Sequence, residues 1–419
     1  MKINIMGIIF LMVDGTILLL LRRQWAAVSL IIGACYVTIS QGIEIGPFHM
    51  TILRILIAIG LIRVIIRGER LNDGMNGLDK LNLVWGIWAL ASSFFHTDPS
   101  AALVYRLGLV FNAWGIYFLI RIFCRSLNDF LRICRITAII LIPVGIEMLF
   151  EMESGQNLFS ILEGVSEVLV VRQGSFRAQG AFAHAILAGT VGSACLPLMF
   201  GLWQQHRKAA FAGVIACSMM IFASVSSGPI LSALAGVGAL LMWRFQRHMR
   251  FFLWVGILGY VFLDFIMKAP AYYLMGRLDL GHGSTGWQRA ALIEAAISHL
   301  NEWWLGGTDY TRHWMATGIY WSPNHIDLTN YYIYLGVIGG LPLMFLFIAV
   351  LVRGFSFLGH TLRQASDLPV KSRFMLWVLG STLFVFVVAA IGVSYIDQSI
   401  VFLYVILGAI ASTGFGKLS

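Results

Sequence analysis

Hydrophobic residues run along this chain in long stretches separated by short polar connections, at about 4–21, 25–41, 49–66, 81–96, 101–120, 133–150, 181–202, 209–224, 229–243, 251–267, 329–352, 374–392 and 398–415. Each approaches the roughly 20 apolar residues that an α-helix needs to cross a bilayer. The pattern predicts an all-α, polytopic membrane protein of about 12–13 transmembrane helices, a single integral-membrane domain over 1–419. The margin comes from the first stretch, which contains Asp14, and from the pair parted only by Ser226-Ser227-Gly228-Pro229, a helix-breaking cluster. The first stretch ends in Arg22-Arg23 rather than a small-residue cleavage site and is read as a retained span.

Two connections are more than tethers. The segment 151–180 carries Leu158, Ile161, Leu162, Val165, Val168 and Leu169 at helical spacing, with Glu163 and Glu167 opposite, which predicts a short helix lying along the interface. The loop 268–328 far exceeds ordinary connection length and is expected to contain short helices and to be functional. It gathers Trp287, Trp303, Trp304, Trp314 and Trp321, joined by Tyr272, Tyr273, Tyr310 and Tyr320. Such rings stack on sugars or anchor interfacial helices, and both uses fit.

Composition agrees with lipid as the main solvent: 59% of residues are hydrophobic and 12% charged, which excludes a soluble globular domain. A net charge of +9 does not point to nucleic acid, because the basic residues come singly or in pairs and form no stripe. Most of the 29 Lys and Arg fall on alternate connections, so the positive-inside rule puts those in the cytoplasm and both long segments outside. Cys35, Cys124, Cys134, Cys195 and Cys217 lie in spans or cytoplasmic segments without metal spacing, so neither disulfides nor zinc is expected of them.

Outward arginines need a reason, since topology selects against positive charge on that face. Arg177 sits in Gly174-Ser-Phe-Arg-Ala-Gln-Gly180 before a span, and Arg289 in Ser284-Thr-Gly-Trp-Gln-Arg at the start of a helix expected to reach about Leu300. A planar, permanently charged guanidinium suits a diphosphate; a snorkelling or ion-paired arginine is the competing role, more so for Arg277 and Arg312. His325, after Trp321-Ser-Pro-Asn, is a candidate general base or else a member of the aromatic belt. His184, His282, His299 and His313 have only exposure in their favour. The loop's carboxylates, Asp279, Glu294, Glu302, Asp309 and Asp327, are dispersed without a metal-ligand pattern. Asp14, Arg54, Arg106 and Asp264, inside spans, take a structural role by default.

Phe176-Arg-Ala-Gln-Gly-Ala-Phe-Ala-His184, the Ser-Ser-Gly turn at 226–228, Arg289 followed by Leu305-Gly-Gly307, and Asn324-His325 leading into Tyr334-Leu-Gly-Val-Ile-Gly-Gly340 together resemble the O-antigen ligase and polymerase superfamily, in order and in spacing. The resemblance covers about 173–352, and Asn-His before the Leu-Gly-x-Ile-Gly span is its most specific part. It implies a metal-independent, inverting glycosyltransferase of the bacterial inner membrane that uses no cofactor. Such an enzyme takes a glycan from a polyprenyl diphosphate carrier, on the periplasmic face, to lipid A-core (a ligase) or to another carrier-linked glycan (an O-antigen or exopolysaccharide polymerase). By the resemblance, Arg177 and Arg289 would bind the diphosphate, Arg277 would assist, and His325 would serve the acceptor hydroxyl. Many relatives have Ser-Arg-Gly where this chain has Ser227-Gly228, so that arginine's phosphate contact is missing here.

The alternative is a transporter or flippase for lipid-linked glycan, motivated by the charges within spans and the Gly-Pro break. Against it, no pair of interrupted spans occupies corresponding halves, and the polar residues concentrate on one face.

Overall fold

The computed structural model describes residues 3–72, 74–165, 170–172, 174–277, 286–315, 322–364 and 367–413. Asp279, His282, Tyr320 and Trp321 lie outside them, as do Glu167, Val168 and Leu169. A long helix follows each apolar stretch: α1 (Ile5–Leu20), α2 (Arg23–Tyr36), α3 (Ile52–Ile66), α4 (Gly77–Ala91), α5 (Pro99–Phe123), α6 (Leu127–Ser154), α7 (Ala185–Leu202), α8 (Arg207–Ala223), α9 (Ser227–Leu241) and α10 (Met249–Ile266). Three helices of the long loop come next, α11 (Leu274–Arg277), α12 (Gly286–Ser298) and α13 (Leu300–Trp303), before α14 (Tyr331–Gln364), α15 (Val370–Ala389) and α16 (Asp397–Ser412). Short 3₁₀ turns and two antiparallel hairpins complete the described elements, the hairpins being β1 (Gly42–Ile45) with β2 (Phe48–Thr51) and β3 (Val171–Arg172) with β4 (Ser175–Phe176).

Among the described residues, six helical segments are long and apolar enough to cross a membrane, one of them the Ser227–Ile266 run of α9 and α10, kinked at Phe245, which is compatible with a multi-pass membrane protein. α1 and α16 are apolar but only 16 residues long, about 24 Å against a hydrocarbon core of roughly 30 Å. α10 buries none of its residues, and Phe265 is 90% exposed. An all-round apolar helix without protein neighbours is suited to lipid and not to water.

Hydrogen bonds between connections sort the helix ends into two groups. At one end Arg23 donates to the Phe123 carbonyl at 2.7 Å, Arg121 pairs with buried Asp79 at 3.0 Å, Arg125 donates to the Arg70 carbonyl and Asn76 to that of Ala411. Arg23 and Asn76 thereby serve orphan carbonyls in the last turns of α5 and α16. At the other end Gln398 donates to the carbonyls of Val37 and Ala181, and Ser394 to that of Leu328. The second end carries the long loop and, as described below, the candidate residues.

α14 is broken at Gly339 and Gly340, where Gly340 takes φ 74°. Pro342 has no N–H for the Ile338 carbonyl, and the loop supplies what the helix loses. Thr308 N–H donates to Val337 O at 2.8 Å, Leu341 N–H donates to Trp304 O at 2.8 Å, and Trp88 Nε1 donates to Gly339 O at 2.8 Å. Arg106 donates to Ile338 O, with the His96 imidazole beside it. A Cβ on Gly340 would meet the Leu305 carbonyl at 2.1 Å, so the Leu305-Gly306-Gly307 turn and the Gly-Gly break fit only as a pair of glycine surfaces. Arg106 thus takes up one of the carbonyls freed at the break.

The interfacial helix expected at 158–169 is cut to one 3₁₀ turn, Leu158–Leu162, because Glu163 (φ 57°) and Gly164 (φ 76°) leave the helical region. Its last carbonyl, on Leu162, accepts from Gln41 and Thr38 instead of from a continuing helix. The described remainder turns back as the β3–β4 hairpin.

Candidate functional site

Arg177 follows β4, and a buried carboxylate fixes its backbone. Glu151, at the end of α6, accepts the N–H groups of Gln179 (3.0 Å) and Gly180 (2.7 Å) and the Asn157 side chain (2.9 Å), while Ala178 N–H donates to Ala223 O. The guanidinium then reaches the α8–α9 turn, donating to Ser226 Oγ at 2.7 Å and to Ser224 O at 3.5 Å. Val225, between those serines, has φ 43°, a strained conformation for a β-branched residue that turns both acceptors toward Arg177. Because the Ser226 side chain is engaged there, α9 starts without a side-chain cap, so its first-turn amides and dipole favour an anion.

Arg289 comes from α12 and is only 9% exposed. A Cβ on Gly228 would lie 3.6 Å from its Nη2, and one on Gly392 would lie 3.2 Å from its Cζ, so two side-chain-free backbones flank the guanidinium. Its Nε has no hydrogen-bond partner among the described residues. Burial pushes its pKa down; Arg172 adds to the shift and Asp327 opposes it. Burial likewise lowers Arg177, with further lowering from Arg172 and Arg289. A guanidinium does not give up its proton, so these shifts express a charge held at a cost that a bound anion would relieve. Gly228 presents no side chain toward Arg289, which lies against its backbone.

No family model and no curated protein matches the chain.

His325 is half-buried in the return segment of the loop. Its Nδ1 lies 3.3 Å from Thr311 Oγ1, and its N–H donates to Ser322 Oγ at 3.1 Å. Burial lowers its pKa, with His96 adding to the shift and Asp309 opposing it, so the ring is neutral near pH 7. Asp309 is anchored in turn by Thr97 (2.8 and 2.7 Å) and by His96 Nδ1. Asp327, two residues beyond His325, lies in the field of Arg289 and His184; its own pKa is raised, by burial above all.

Arg177 and Arg289 thus lie in one another's field although they come from separate segments, and Asp327 joins Arg289, while the charged groups that act on His325, two residues earlier, are Asp309 and His96. Arg277 ends α11 exposed, and no hydrogen bond or ion pair between described residues links it to this group. Arg172, His184 and Asp327 also belong to the electrostatic cluster, although spacing in the chain singles none of them out. The signal for Asp327 was its place two residues from His325. Gly392, in the α15–α16 connection, carried none.

Gly392 has no positive φ, so alanine fits its backbone and acts only on Arg289. Gly392→Ala is expected to displace the guanidinium by a few tenths of an ångström and to lower kcat/KM about tenfold, since misplacement by roughly 1 Å costs about 100-fold. Steady-state transfer assays at unchanged melting temperature check this.

Proposed function

We propose that the protein is a membrane glycosyltransferase of the O-antigen ligase and polymerase type, moving a glycan from a polyprenyl diphosphate to a sugar hydroxyl on the periplasmic face. The observation that carries the reading is the Arg289 guanidinium, nine-tenths buried with an unpartnered Nε, beside Arg177 and the uncapped start of α9. Such a place calls for a compact, multiply charged anion. In this reading all the apolar stretches span the membrane and the long loop faces the periplasm.

The acceptor oxygen attacks the anomeric carbon as its bond to the diphosphate oxygen breaks, and configuration inverts. The electron pair goes to the departing diphosphate, whose charge Arg289 and Arg177 stabilise from fixed positions. The hydroxyl proton passes to neutral His325 and later to water. Lipid A-core and a second carrier-linked glycan both fit as acceptors.

The α14 break does not favour a transporter, because its freed carbonyls are taken by Thr308, Arg106 and Trp88 and offer nothing to a cargo. The test is reconstitution: purified protein in detergent, given carrier-linked glycan and an acceptor, is expected to form the longer product and release polyprenyl diphosphate. Movement of the donor across vesicles without any new glycosidic bond would overturn the reading in favour of a flippase.

A further inference from the structure

We infer that the long loop holds a binding site for a late first-row divalent cation, of which Zn²⁺ is the representative, formed by His299, Glu302 and His313. One ligand atom from each lies within 4.8 Å of the others. Glu302 Oε1 and His313 Nε2 are already 3.0 Å apart. Zinc bonds of about 2.0–2.2 Å set ligand atoms roughly 3.3–3.5 Å apart, so small side-chain rotations complete three corners of a tetrahedron and leave the fourth to water. Two imidazoles and a carboxylate are the donors such ions prefer over Mg²⁺ or Ca²⁺.

What distinguishes the trio from a surface ion pair is the shell around it. His299 Nδ1–H donates to the Ala295 carbonyl at 2.9 Å, which fixes the tautomer that leaves Nε2 free to ligate. The other carboxylate oxygen of Glu302 accepts Trp314 Nε1–H at 3.0 Å. The His299 ring stacks on Trp314 at 5.6 Å and the His313 ring on Tyr310 at 5.3 Å. All three ligands thus have outer partners that orient them. The sequence hid the site because its ligands come from the end of α12, from α13 and from the return strip.

The ion would not touch the diphosphate: ten residues of helix separate Arg289 from His299, about 15 Å. It would instead tie α12 to the strip in which Thr311 hydrogen-bonds His325 and the Asn324 carbonyl. That coupling rests on the transfer reading; binding itself does not.

The test uses tag-free, full-length protein in detergent, stripped with a chelator and titrated with Zn²⁺ against a chromogenic competitor. One equivalent per chain is expected. His313→Gln and Glu302→Gln should bind at least 100-fold more weakly, and Trp314→Phe about tenfold, as loss of an outer partner does. Zn²⁺ but not Mg²⁺ should raise the melting temperature of the wild type, a readout that needs no variant to fold. Absence of stoichiometric binding, or equal binding by His313→Gln, would overturn the proposal whether or not the protein transfers glycan.

Discussion

Arg289→Ala is expected to lower glycan transfer by about 100- to 1000-fold, the usual cost of removing a fixed group that stabilises developing charge. The loss should be larger than for Arg177→Ala. Arg289 is buried with its Nε unpartnered, whereas Arg177 is only half-buried and already bonded to Ser226 and Ser224. Arg289→Lys keeps the charge but loses the planar fork, so it should recover only part of the activity. Donor binding should weaken along with kcat, because the guanidinium meets a diphosphate already charged in the ground state. Purified variants assayed for both quantities give the answer, and unimpaired turnover by Arg289→Ala would remove the centre of the proposed site.

The second large effect concerns His325 and carries a pH signature. His325→Gln should lower kcat about 100-fold or more while leaving donor affinity nearly unchanged, as loss of a general base does. In the wild type the neutral imidazole is the active form. Burial places its pKa below the usual 6.5, so kcat/KM should stay level down to that value and fall only as pH drops further through the lowered pKa. The variant's small residual rate should lack this acid limb. An acid limb centred above 6.5, or one that persists in His325→Gln, would assign the proton to another group.

Much of the fold was legible because an apolar stretch of helical length has few alternatives in lipid. Each of the thirteen stretches corresponds to a long helix, although ends moved where caps decide them: the stretch at 133–150 became Leu127–Ser154, begun by Ser126, whose side chain accepts Asp129 N–H. The α14 break was not foreseen, since its stability depends on Thr308 and Trp88, remote in sequence. The interfacial helix failed at Glu163 and Gly164 for a similar reason, the capture of the Leu162 carbonyl by Gln41. In the site, Arg177 and Arg289 could be picked out because most Lys and Arg fall on the alternate connections, which leaves few on theirs. The Gly392 backbone beside Arg289 and the His299–Glu302–His313 trio are products of tertiary packing, for which no spacing rule gives notice.

The exchange of hydrogen bonds at the α14 break also sets the mechanics of the loop. Lifting the Leu305–Thr308 turn would strip partners from the Trp304 and Val337 carbonyls in the same movement. Each bond is worth about 1 kcal/mol net, and an orphaned buried group costs about 1–3 kcal/mol more. This corner therefore behaves as a riveted joint and not as the hinge of a lid. Any movement of the loop must take place elsewhere along it, with this wall standing still.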